Sequence, residues 1–163
     1  QVAAVGATLR RLGVGPGDRV AGYLPNIAEA VVALLATAAV GAVWTVASPD
    51  FGTPSVLARF EQAEPVVLIA ADGYRFGGKP YDRRATVAEL VAGLPSVRTV
   101  LTVDNLTVPA GWLVTSIAAG GPPHWGEWRG VGVPAVRSRR AAGRPSASWR
   151  PRGCGSADGA PMN

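Results

Sequence analysis

The chain has 163 residues, 48% of them hydrophobic and 17% charged, which suffices for one domain with a hydrophobic core. A single cysteine, Cys154, excludes an internal disulfide and fits a reducing compartment; with only His124 beside it, a His/Cys zinc site cannot close. The net charge of +5 is unevenly placed, because residues 1–128 hold nine Lys or Arg against ten Asp or Glu and residues 129–163 hold seven Arg against one Asp, so the basic character belongs to the last segment and not to a basic domain.

In chain order, Val2, Val5, Leu9 and Leu12 recur at helical spacing with Arg10 and Arg11 off the stripe, which predicts an amphipathic helix over 2–12. The chain opens on Gln1 and already reads as mid-helix, so the true start is expected to be missing or processed, and no signal peptide is expected. Gly13-Val14-Gly15-Pro16-Gly17-Asp18 breaks the helix, and Arg19 to Leu24 reads as a short strand. Asn26, with Glu29 three residues later, is a variant of the capping box and predicts a helix over about 27–40, ended by Gly41. That helix is apolar nearly all round and is expected to be buried. Ala42 to Ala47 is expected to be a buried strand with Trp44 in the core. The apolar run from Ile27 to Val43 carries Glu29 and is shorter than a usual membrane span, so no membrane segment is expected.

Ser48-Pro49-Asp50-Phe51-Gly52 reads as a turn, and Thr53-Pro54 opens a helix with Pro at its tolerated first position and Val56, Leu57 and Phe60 inward. Val66 to Ala70 reads as a strand closed by Asp72-Gly73. A helix near 83–94 follows, showing Val87, Leu90, Val91 and Leu94, and Arg98 to Val103 is a fourth strand. This alternation of helix and strand predicts an α/β fold with a mainly parallel sheet, because parallel strands need crossover helices. After Pro109 the chain drifts into Gly, Pro, Ala, Arg and Trp without a period. The expected division is a partial domain over 1–112 and a low-order tail over 113–163.

Gly73-Tyr74-Arg75-Phe76-Gly77-Gly78-Lys79-Pro80 fits G-x-x-x-x-G-K after a strand, but a phosphate-binding P-loop needs Ser or Thr where Pro80 stands, with a hydroxyl for magnesium. It reads instead as a glycine-rich surface loop in which Arg75 and Lys79 can still grip a phosphate. The Gly13–Gly17 stretch leads into a strand, not a helix, so it is a turn and not a dinucleotide fingerprint. Asp50 follows a strand end, where open parallel sheets place ligands, although Asp in a Pro-Asp-x-Gly turn is more often a turn former. The tail's seven Arg with Trp125, Trp128 and Trp149 suit phosphates and bases, yet no nucleic-acid-binding motif surrounds them. Its composition is what a GC-rich gene yields when read out of frame, and a frame shift after about residue 115 is the expectation.

Taken together, Leu12-Gly13-Val14-Gly15-Pro16-Gly17-Asp18-Arg19-Val20-Ala21, Leu24-Pro25-Asn26 and Glu29-Ala30 resemble the opening of the adenylate-forming acyl-CoA synthetases, the AMP-dependent synthetase/ligase family. Gly41-Ala42-Val43-Trp44 and Ser48-Pro49-Asp50-Phe51-Gly52 narrow the resemblance to the acetyl- and acetoacetyl-CoA synthetase branch. Arg59-Phe60-Glu61-Gln62, Glu64-Pro65 and Asp72-Gly73-Tyr74-Arg75-Phe76-Gly77-Gly78-Lys79 are most similar to its acetoacetyl-CoA side. The resemblance covers roughly residues 1–105.

It implies a ligase that joins acetoacetate, or a similar short acyl acid, to CoA with ATP and magnesium through an acyl-adenylate, in the cytoplasm. It also implies a CoA nucleotide contact at Arg75, Gly77 and Gly78, with Lys79 supplying a second charge, and a pantetheine path along Asp50, Phe51 and Gly52. The family's Ser/Thr/Gly-rich phosphate loop ending in Lys, its adenine motif, its ribose-binding Asp and its C-terminal catalytic Lys do not occur here. The expectation is therefore a fragment, inactive alone, with no catalytic and no metal-binding residues of its own and with edges and apolar faces exposed. An acetyl- or propionyl-CoA synthetase, or a non-catalytic protein binding through its Arg-rich tail, are the alternatives.

Overall fold

The computed structural model describes residues 1–106 and 111–116. In chain order its elements are α1 (Val2–Arg11), β1 (Arg19–Tyr23), α2 (Ala28–Ala39), β2 (Val43–Ala47), α3 (Thr53–Ala63), β3 (Val67–Ala71), β4 (Gly73–Phe76), β5 (Lys79–Asp82), α4 (Arg84–Gly93), β6 (Thr99–Asp104) and β7 (Gly111–Ser116). Five strands form one sheet in the order β2-β1-β3-β6-β7, while β4 and β5 pair separately. The pairs β1–β2, β1–β3 and β3–β6 are parallel, and β6–β7 is antiparallel.

The expected α/β fold with a mainly parallel sheet is what the chain adopts. Each parallel step crosses a helix, and the strand alternation divides the core in two. Val67, Ile69 and Ala71 of β3 join Val5, Leu9, Val20, Ala33 and Ala36 on the side of α1 and α2. Leu68 and Ala70 join Tyr23, Val56, Phe60, Val87 and Leu90 on the side of α3 and α4. β3 is buried along its whole length, as a central strand covered on both faces must be.

Helix ends are set by short polar devices. Gly13 and Gly41 take φ of 76° and 78° after α1 and α2. In each case the glycine and the residue after it donate back to the last turn, Gly41 N to the Ala38 carbonyl and Ala42 N to that of Thr37, which is the Schellman pattern. At the end of α3, the Arg19 guanidinium donates to the Ala63 and Glu64 carbonyls at 2.7 and 3.0 Å, a cation where the helix dipole favours one.

Four expectations need correction. Asn26 does not cap α2: the helix starts one residue later, with Ile27 at the N-cap in extended conformation and no side-chain cap hydrogen bond. Nor is α2 buried all round, since Val31, Leu34 and Leu35 are 53%, 42% and 49% exposed while Ala33, Ala36 and Thr37 face inward. Third, β2 lies at the sheet edge with Val43 and Val46 exposed, and Trp44 is only partly buried, leaning across Gly22 of β1. Fourth, the glycine-rich segment read as a loop is a β-hairpin. The structure also adds β7, which straddles the boundary expected after residue 112. The expectations for His124, Cys154 and the Arg-rich tail lie outside the described residues.

Candidate functional site

Parallel strands carry their C-terminal ends to one edge of the sheet, and loops leaving that edge are the usual place for ligands. Three such exits meet here: Pro25-Asn26 after β1, Ser48-Pro49-Asp50 after β2, and the β4–β5 hairpin that leaves β3 through Asp72. Between them lies a cavity of about 430 Å³ lined by Pro25, Asn26, Ser48, Pro49, Asp50, Tyr74, Phe76 and Tyr81.

The hairpin register decides which of its side chains face this cavity. Tyr74 pairs with Tyr81 and Phe76 with Lys79, while Arg75 pairs with Pro80. Side chains alternate across a strand, so Tyr74, Phe76, Lys79 and Tyr81 share one face and Arg75 lies on the other. The rings of Tyr74 and Tyr81 stack with centroids 5.1 Å apart and planes 12° apart. Gly77 and Gly78, with φ of 56° and 77°, make the two-residue turn of a type I′ hairpin, which needs positive φ at both positions.

Asp72 anchors the hairpin's base. Its buried carboxylate accepts from the Asn105 and Leu106 backbone N–H groups at 2.7 and 3.0 Å, and its carbonyl accepts from Arg83 N at 2.8 Å. Arg75 donates from its guanidinium to the Leu106 carbonyl at 3.2 Å, on the same side as that anchor. Arg83, at the N-cap of α4, reaches back across the site. Its Nε donates to the Pro49 carbonyl at 2.8 Å, a terminal nitrogen donates to the Tyr74 hydroxyl at 3.2 Å, and its guanidinium carbon lies 5.2 Å from the Tyr74 ring centroid. The same Pro49 carbonyl accepts from the buried Tyr23 hydroxyl at 3.1 Å.

The electrostatics follow from these contacts. Hydrogen bonds from Ser48 and from its own backbone hold the Asp50 carboxyl below the usual carboxylate range, and the Arg83 charge adds to this. Burial pushes the Tyr23 phenol up, against the pull of the Arg83 cation.

The predicted site residues fall into two groups. Asp50 lines the cavity; Phe51, 54% exposed, opens onto a smaller neighbouring hollow with Ala47, Ser55, Val56 and Arg59; Gly52 is the N-cap of α3. Arg75, Gly77, Gly78 and Lys79 are exposed at the hairpin and are not among the residues lining the cavity. The structure thus brings the turn and the hairpin together as walls of one site but sets Arg75 on the far face. Sequence reading missed Tyr23, Tyr74, Phe76, Tyr81 and Arg83. The available signal was the pair of adjacent glycines between aromatic-bearing tetrapeptides, a hairpin signature.

The residues present suit part of an extended ligand with an apolar or amide-rich arm and an anionic end. Aromatic faces and the Ser48 and Asn26 polar groups line the cavity, while Arg75 and Lys79 offer cations outside it.

Comparison with known proteins follows the same lines. Residues 1–138 match the family described as AMP-binding enzyme. Acetoacetyl-CoA synthetase of Mus musculus is 43% identical over 103 residues, which are 63% of this chain and 15% of that protein. The acetoacetyl-coenzyme A synthetase of Rhizobium meliloti (strain 1021) is 41% identical over 118 residues, 69% of this chain and 18% of that one. Among solved structures, acetoacetyl-CoA synthetase from Streptomyces lividans matches with a TM-score of 0.64 and 64% identity, covering 67% of this chain and 17% of its own. The chain therefore spans 15 to 18% of the length of these relatives.

Proposed function

This chain belongs to the AMP-binding enzyme family, and from that premise we propose that it carries part of the CoA-handling portion of an acetoacetate–CoA ligase. The observation that carries the reading is the 64% identity to the Streptomyces lividans acetoacetyl-CoA synthetase over 67% of this chain. In the proposed parent reaction, ATP supplies the adenylyl group that activates the acetoacetate carboxylate, pyrophosphate leaves, and the CoA thiol then displaces AMP to leave a thioester. Magnesium accompanies the ATP in that reaction, and no residue of this chain is proposed to bind it. A cytoplasmic setting suits these substrates.

The chain's own residues serve the second half. Asp50 lines the cavity proposed for the pantetheine arm, Phe51 and Gly52 continue the same turn just beyond it, and the stacked rings of Tyr74 and Tyr81 give it an apolar wall. The cations available to the anionic nucleotide end are Lys79, on the cavity face of the hairpin beyond Gly77 and Gly78, and Arg75, which is exposed on the opposite face and would have to reach around the hairpin edge. Nothing in the 163 residues supplies a Ser/Thr/Gly-rich loop ending in Lys. Without such a clamp the charge developed at the reacting phosphate goes unstabilised, so the chain alone is expected not to form the adenylate.

Two measurements on the purified chain test this. Given acetoacetate, ATP and magnesium, it should release no pyrophosphate above the buffer rate; release at an enzymatic rate would overturn the proposed division of labour. Titrated calorimetrically with CoA, it should bind, and Arg75→Ala should weaken binding by about tenfold, the scale of a lost charge-assisted contact. Equal affinity in the variant would remove Arg75 from the site.

A further inference from the structure

We propose that Arg83 is a positioning residue that locks the two walls of the cavity, the turn after β2 and the β4–β5 hairpin, into register for ligand binding. The inference rests on the CoA reading given above. Its physical basis is that the two walls belong to different parts of the chain and share no strand pairing. The hairpin is a separate two-stranded sheet, and such a ribbon is marginal by itself. The turn 48–50 follows the edge strand β2. One guanidinium bridges them: Nε donates to the Pro49 carbonyl at 2.8 Å while a terminal nitrogen donates to the Tyr74 hydroxyl at 3.2 Å. The planar fork points donors in two fixed directions, which an ammonium on a flexible stem cannot reproduce. The cation also lies against the Tyr74 ring, which in turn stacks on Tyr81, so one contact orients both aromatic rings of the hairpin wall.

The site is also built so that losing Arg83 leaves the fold standing. The Pro49 carbonyl keeps its second donor, the Tyr23 hydroxyl, and therefore is not orphaned. The hairpin base keeps the Asp72 anchor, whose carbonyl accepts from the backbone N–H of residue 83 whatever the side chain. What Arg83→Lys removes is the link between walls, not the support of either.

The experiment uses the full 163-residue chain, its Arg83→Lys variant and Tyr74→Phe, which deletes one end of the bridge. CoA is the calorimetric probe, thermal melting reports the fold, and amide hydrogen exchange reports the turn around Phe51 and the β4–β5 segment. Arg83→Lys should bind CoA about tenfold more weakly, with a melting midpoint within about 4 °C of the parent. Its turn and hairpin amides should exchange faster together, and Tyr74→Phe should show a smaller change of the same pattern. Unchanged exchange in both segments overturns the coupling whether or not CoA binds. Unchanged CoA affinity in Arg83→Lys overturns the positioning role while leaving the CoA reading intact. Affinity and melting midpoint collapsing together would reduce Arg83 to a structural residue and overturn the proposal. If the parent chain binds no CoA, the CoA reading falls, and the exchange data alone decide the coupling.

Discussion

Asp104 shows how one carboxylate can work against the fold that holds it. It closes β6 beside the Asp72 anchor, where burial raises its pKa and the Asp72 charge raises it further, with Arg84 pulling the other way. A raised folded-state pKa means that the native state binds the proton more tightly than the unfolded chain. The resulting stabilisation is complete below the unfolded value near 3.8 and is lost as pH climbs through the raised folded value. At neutral pH the charged form is a net burden. Asp104→Asn should therefore melt at a higher temperature than the parent at pH 7. The advantage should shrink as pH falls through the carboxylate range and vanish below about pH 3.5. Paired melting curves across that range check the sign; an advantage that persists unchanged at low pH would assign the gain to something other than the charge.

At the scale of elements, the β4–β5 hairpin depends on its turn. A Cβ added at Gly77 or Gly78 would meet nothing within 4 Å, so any penalty there is purely backbone conformation. Asn tolerates positive φ and belongs to the favoured type I′ pair, whereas a β-branched residue does not. Gly77→Asn should thus leave hairpin exchange unchanged or slower. Gly78→Val should cost about 1–3 kcal/mol locally and speed it, with the global melting midpoint moving less because the five-stranded sheet does not rest on the hairpin. Equal exchange in the two variants would contradict the turn assignment. The same hairpin marks where sequence reading stopped. The core elements were legible because their periods are local: Val5 and Leu9, Val56 and Phe60, Val87 and Leu90 each sit on one helical face, and β3 is a short apolar run. The hairpin strands are four residues each and largely exposed, so no apolar alternation announces them. For the candidate site, Asp50 is the residue named from sequence that lines the cavity, whereas the Gly77–Gly78 segment reads in sequence as a loop and not as a hairpin turn. The Arg83 bridge is not legible in sequence, because its 34-residue separation from Pro49 is a product of topology.

The whole molecule exposes apolar surface for the same topological reason. An all-apolar helix and strand look buried in sequence, but burial depends on where an element stands in the layer order. β2 ends the sheet, and the outer side of α2 has no neighbour among the described residues. Val31, Leu34 and Leu35 on α2 and Val43 and Val46 on β2 consequently face solvent, beside a strand edge that pairs with no further strand among the described residues and can template association. The chain is expected to self-associate as its concentration rises, seen as growth in sedimentation-average mass. Leu35→Lys with Val46→Lys should suppress this. A lysine on an edge strand blocks edge-to-edge pairing at little cost in stability. Because both side chains are at least two-fifths exposed, the double variant should keep its melting midpoint within about 4 °C of the parent. Association that persists undiminished in the double variant would place the sticky surface elsewhere, and a sharply lowered midpoint would show that the two residues are buried in solution.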